Sequence, residues 1–190
     1  MLYYFKVHFL QEVSFVFTKF QKIYDEIDDI MNQVNQGILQ IPRVNIDSFS
    51  WKRIHLPADF TYLIASVAPI LTGEDYMINL DFADIMSVCR LDLNTKTCID
   101  GHIEILEIAC HNSDTAILKR ALKQLPNHFD ALLNITGDID PLGMMNLAEI
   151  VQDYVNPNNN ILLAARFDEN MTNRCSIHVV CYIPDSTSNQ

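Results

Sequence analysis

The sequence predicts an α/β fold: a helix-rich lead, then a sheet of about four strands with helices alternating between them. Three observations predict it. Short apolar runs of strand length recur at 131–135, 161–167 and 176–183. Segments with three- and four-residue apolar spacing lie between and before them. A chain of 190 residues, 49% hydrophobic and 19% charged, can bury a real core.

Residues 13–17 form an apolar, β-branched and aromatic run suited to a buried strand. Ile23, Ile27, Ile30, Met31 and Val34 then recur at helical spacing, with Asp25, Glu26, Asp28 and Asp29 between them. These acids favour the positive end of a helix dipole, and Gly37 can end the helix. Residues 38–41, closed by Pro42, read as a second strand, giving the order of a βαβ unit. Residues 43–57 read as a polar connector holding the sole tryptophan, Trp51, with Lys52, Arg53 and His55 too few to make a phosphate site.

Residues 58–71 are apolar nearly all round, as in a helix buried between two layers, and Pro69 is expected to kink or end it. A short helix at 82–89 and a turn at 96–101 follow. Residues 102–108 alternate as a half-buried strand does. Ser113 is placed to cap a helix carrying Ile117, Leu118, Ala121, Leu122 and Leu125, with Lys119, Arg120 and Lys123 toward its end. Residues 131–135 predict a strand, and 141–155 a helix with Leu142, Met145, Leu147, Ile150 and Val151 inward. Strands at 161–167 and 176–183 join through a turn at Thr172, Asn173 and Arg174. The tail after Pro184 is polar, and no internal repeat occurs.

Composition narrows the partners. A net charge of −11 leaves no basic stripe to neutralise nucleic-acid phosphates or an anionic membrane. No stretch has the length to cross a bilayer, and the apolar N-terminus, broken by Lys6, His8, Gln11 and Glu12, lacks the pattern of a signal peptide. The expected address is cytoplasmic. The five cysteines, Cys89, Cys98, Cys110, Cys175 and Cys181, are odd in number and include no C-x-x-C pair, which predicts free thiols. Cys175, His178 and Cys181 are not expected to hold a metal, because on a strand the middle residue faces away from the other two.

Chemistry concentrates at Asn79-Leu80-Asp81-Phe82-Ala83-Asp84, where two carboxylates and a carboxamide share a turn between an apolar segment and a helix start. Asp81 at the N-cap would put both acids beside the positive end of the helix. Such a pair suits polarising a water, binding a cation or meeting a partner; the alternative is a helix cap with an acidic first turn.

Residues 78–85 resemble the synergy loop of FtsZ, a branch of the tubulin superfamily. Further blocks fall in that family's order: Val16-Phe17-Thr18-Lys19, Leu39-Gln40-Ile41-Pro42, Ala58-Asp59 and the apolar stretch after it, Leu132-Leu133-Asn134-Ile135-Thr136-Gly137, Ala148-Glu149-Ile150-Val151-Gln152, and Asn160-Ile161-Leu162 through Asp168-Glu169-Asn170-Met171. The resemblance spans about residues 13–183.

The resemblance implies the end of a Rossmann-like GTPase domain, a central helix and a four-stranded sheet domain with flanking helices. The corresponding division is 1–57 as a remnant of the nucleotide-binding domain, 58–77 as the central helix, 78–184 as the sheet domain and 185–190 as a tail. It further implies a cytoskeletal cell-division GTPase subunit, or a fragment of one, whose partners are like subunits in a head-to-tail filament. Asp81 and Asp84 would act on the neighbour's GTP, Asn79 would contact that nucleotide in trans, and Asp59 would recognise guanine. Ala58 stands where the family usually has a polar residue. GTP is the implied cofactor, contributed with a neighbouring subunit, with room for Mg2+ beside it.

Glycine-rich loops that let backbone amides approach phosphate are missing: the five glycines are Gly37, Gly73, Gly101, Gly137 and Gly143, none clustered. The chain alone is therefore not expected to hydrolyse GTP. A non-catalytic filament-capping or binding module of the same ancestry is the alternative. An unrelated small α/β enzyme finds no Ser/His/Asp or Cys/His spacing to support it.

Overall fold

The computed structural model describes residues 21–40, 43–72, 76–78, 80–111, 115–126, 129–155 and 161–185. The strand expected at 13–17, the loop residue Asn79 and the cap Ser113 lie outside the described residues.

In chain order the elements are α1 (21–35), β1 (Ser48–Ile54), α2 (Phe60–Thr72), β2 (Tyr76–Ile78), α3 (Phe82–Cys89), β3 (Leu91–Asp92), β4 (Thr97–Cys98), β5 (Gly101–His111), α4 (Thr115–Leu122), β6 (Asp130–Gly137), α5 (Pro141–Gln152), β7 (Ile161–Phe167) and β8 (Arg174–Pro184). One six-stranded sheet, in the order β1-β5-β8-β6-β7-β2, organises the fold. Only β6 and β7 pair in parallel, which their connection through α5 requires; the other neighbours are antiparallel.

Both faces of the sheet are covered. On one, Leu118 and Leu122 of α4 and Met144, Leu147 and Val151 of α5 close over Leu133, Ile135, Ile177 and Val179. On the other, Leu63, Val67 and Ile70 of α2 and Ile85 and Val88 of α3 meet Ile103, Ile105, Leu132 and Val180. A third cluster joins Ile23, Ile27 and Ile30 of α1 to Phe60, Ile64 and Ala65 of α2, so α2 is buried on both sides. That explains its all-round apolar composition. Each such buried Leu or Ile stabilises by roughly 1.5–3 kcal/mol.

The central strands stand where the periodicity places them, and two edge strands extend the sheet from four to six. The first corrects the reading of 43–57 as a connector: β1 pairs along its length with β5, Ser48 opposite Ala109 through Ile54 opposite Ile103. Ser50 and Lys52 point to one side of this edge strand and Arg53 to the other, where partial solvation carries them without penalty, and these polar residues on both sides hid its alternation. The second, β2, pairs with β7. Residues 91–98 add a small β3–β4 hairpin where only a turn was expected.

Two local expectations also change, and a third narrows. Residues 38–40 are turn and coil, because Gly37 adopts a positive φ of 71° and the Ile38 and Leu39 amides fold back onto the Gln33 carbonyl. Pro69 lies within α2 rather than ending it; the helix stops three residues later, at Thr72. On α5 the inward residues are Met144, Leu147 and Val151, while Leu142 and Met145 are exposed.

Candidate functional site

The acidic turn is the N-terminus of α3. Asp81 is the N-cap in extended conformation, and its Oδ1 accepts the Asp84 amide at 2.9 Å, while Asp84 Oδ2 accepts the Asp81 amide at 2.9 Å. This reciprocal capping box satisfies two amides that the helix cannot pair internally. Leu80 before the cap and Ile85 at the fourth helical position share one apolar cluster, the arrangement of a hydrophobic staple.

The corner is braced on its other sides as well. The Phe82 ring meets Tyr24 of α1 edge-on, with centroids 6.2 Å apart. At the far end Arg90 takes a left-handed C-cap conformation, its guanidinium 3.6 Å from Asp130 and 4.7 Å from the Tyr182 ring centre. The helix is thereby fixed to β6 and β8.

Asp81 is exposed and Asp84 half-buried. Each carboxylate spends one oxygen on the box, and among the described residues Asp81 Oδ2 and Asp84 Oδ1 have no recorded hydrogen bond. These two acceptors can orient a water or meet a donor group. The box by itself also explains the Asp-x-x-Asp spacing.

Asp59 sits elsewhere, at the turn entering α2. Its Oδ2 accepts the His55 amide at 2.9 Å and its Oδ1 lies 3.5 Å from Lys52 Nζ. The His55 amide, aided by Lys52, holds its carboxyl below the usual range. No recorded hydrogen bond or ion pair joins Asp59 to Asp81 or Asp84. The Lys52 ammonium in turn lies 3.7 Å over the Tyr62 ring, and burial together with the Glu107 charge raises the Tyr62 hydroxyl to about 12. Asp59 thus belongs to a set of polar contacts that joins β1 to α2 through Lys52.

The glycines within the described residues are dispersed rather than clustered. The Gly143 amide serves the Asp140 cap at 2.7 Å, and a Cβ at Gly101 or Gly137 would strike neighbouring backbone. The Gly143 amide is therefore already engaged. Among the described residues no group of three His, Cys, Asp or Glu is set to hold a metal ion, and no helix is long and apolar enough to cross a membrane.

No family model matches the chain, and no curated protein does. Among solved structures it is similar to FtsZ of M. jannaschii. An empty FtsZ dimer aligns with TM-score 0.47 and 21% identity over 68% of this chain and 40% of that one. A point mutant of the same protein aligns with TM-score 0.41 and 20% identity over 69% of this chain and 42% of the other. The chain spans less than half the length of these proteins.

The sequence reading missed a polar row across the sheet under α2. Glu107 lies opposite Ser50 and His178, and His178 opposite Asn134. Neither ring nitrogen of His178 has a hydrogen-bond partner among the described residues, Nε2 standing 3.9 Å from Glu107 Oε1. Burial pushes the imidazole down to about 4, raises the Glu107 carboxyl, and with the Glu107 charge raises Tyr62 to about 12. A second group, Trp51, His102 and the buried Glu104, lies at the β1–β5 edge, with Trp51 Nε1 donating to Glu104 Oε2 at 2.9 Å. Both depend on strand register, for which single-sequence spacing carries no signal.

Proposed function

We propose that this chain is a subunit, or a fragment of a subunit, of an FtsZ/tubulin-like cytoskeletal GTPase, and that it supplies Asp81 and Asp84 to the GTP site of a neighbouring subunit. What supports the reading is two acids fixed on a braced corner, in a segment that resembles the synergy loop. In this proposal the nucleotide is the neighbour's, a reading supported by the dispersal of the five glycines along the sequence. In this role the box holds both carboxylates in place before the partner arrives, which removes the ordering cost of two side chains. Their remaining oxygens accept hydrogen bonds from a water and orient it toward the partner's phosphate, the positioning that phosphoryl transfer requires. Asn79 contacts the same nucleotide in trans and Asp59 is the guanine-recognition residue in this proposal, although the latter's carboxylate is already engaged by His55 and Lys52. The unit presenting the loop is the sheet domain proposed at 78–184, whose sheet β1 and β2 extend at its edges.

Mixing tests it. Purified chain is added to a full-length FtsZ whose own acidic loop has been neutralised, and GTP turnover and filament length are followed. Turnover that rises with added chain supports the proposal. Shortened filaments without added turnover identify the capping module instead, and no effect on either refutes both readings.

A further inference from the structure

We propose that Cys110 and Cys175 form a modification site: a thiol pair that closes an intramolecular cross-strand disulfide when the chain meets a small disulfide oxidant of the glutathione type. The two residues are direct partners in the β5–β8 ladder, and their sulfurs are 3.4 Å apart. Directly opposed residues of antiparallel strands have Cα atoms about 4.5–5.5 Å apart, inside the range a disulfide spans. Both side chains enter the same apolar cluster, so they already point the same way. Bond formation needs only a small closing rotation and no movement of the strands.

The remaining thiols lack this geometry. Cys98 donates to the Cys89 carbonyl, with Sγ 3.4 Å from that oxygen, and its ladder partner is Leu91 rather than Cys89. Cys181 lies opposite Glu104 and Ala131.

Cys110 and Cys175 are fully buried, and the contact with Cys110 together with burial holds the Cys175 thiol far above its ordinary range, so the closed sheet is unreactive. Access comes at the strand ends. Each cysteine is one residue from an exposed terminus, His111 on β5 and Arg174 on β8, beside the positive-φ pair Thr172 and Asn173. Fraying there exposes one thiol at a time. The first thiolate attacks a sulfur of oxidised glutathione and releases one glutathione thiolate. The second then attacks the mixed disulfide, forms the Cys110–Cys175 bond and releases the other. The two thiol protons pass through solvent to the two departing glutathione thiolates, so one glutathione disulfide is reduced to two thiols as the protein pair is oxidised.

The bond would tie two central strands across a separation of 65 residues that contains α4, β6, α5 and β7. The test is disulfide mapping. Reduced, desalted chain is incubated with oxidised glutathione, the remaining thiols are alkylated under denaturing conditions, and non-reduced peptides are sequenced by mass spectrometry. The expected result is a monomer carrying a linked Cys110–Cys175 peptide, with a melting midpoint several degrees above the reduced chain that returns on reduction. Cys98→Ser should keep link and shift; Cys110→Ser should lose both. Alkylation of both cysteines, glutathione adducts without the link, or a link between any other pair would overturn the proposal. Mapping uses the natural chain and stands whether or not the serine variants fold.

Discussion

Asp81 and Asp84 carry two roles that substitution can separate. Each closes half of one capping box, so Asp81→Ala or Asp84→Ala should cost about 1 kcal/mol in urea unfolding, with the double change costing less than the sum. Asp81→Asn and Asp84→Asn keep the accepting oxygens and should leave stability within about 0.5 kcal/mol while removing both charges. His178 makes a different residue-level prediction. Its folded-state value of about 4 is depressed from the ordinary 6.5, so its contribution is intact above 6.5 and is lost as pH falls toward 4. The loss should reach at most about 3 kcal/mol. Glu107 on β5 works in the opposite sense, its raised carboxyl favouring the fold at low pH, while Asn134 on β6 is neutral. The His178 part is read as the difference between wild type and His178→Gln across the acid range. Equal pH slopes in both would show that the imidazole does not titrate with unfolding.

Legibility differs between elements for physical reasons. α3 was readable to its ends because cap, acidic third position and apolar spacing are all local. β6 and β8 were readable because burial on both faces forces apolar runs, β7 because its run is apolar, and β5 because it alternates. β1 was not, since its evidence is its partner: Trp51 is 49% exposed and earns its place through the bond to Glu104. The inward face of α5 differs at two residues, Leu142 and Met145, which are exposed while Met144 is buried, because Met144 and Met145 are equivalent until the sheet chooses between them. Gly137 gives the sharpest element-level prediction. It stands between β7 and β8 in the ladder, and an added Cβ would meet the Arg174 carbonyl and lie 2.7 Å from Cys175 Cα. Gly137→Ala should therefore destabilise by about 2 kcal/mol or more, measured by denaturant midpoint. A neutral result would mean that β6 and β8 can part without cost.

At the level of the molecule, α4 and α5 close one face of the sheet, α2 and α3 the other, and α1 covers α2. The acidic corner is positioned by the second of these layers and braced from α1, so its geometry does not wait on a ligand. The sequence could mark Asp81 and Asp84 because their pairing is local; it could not show that Asp59 is held by Lys52, since that contact requires β1 to exist. The central claim is that the corner acts on a neighbour's nucleotide. It is tested most directly by grafting residues 78–90 into a full-length FtsZ in place of its own loop and measuring GTP turnover and GTP affinity, with and without Asp81→Asn and Asp84→Asn. The proposal expects the graft to turn over GTP and the paired asparagines to slow it by orders of magnitude at unchanged affinity. A folded, GTP-binding graft that hydrolyses equally well with both acids neutralised would contradict it and leave the pair as a helix cap.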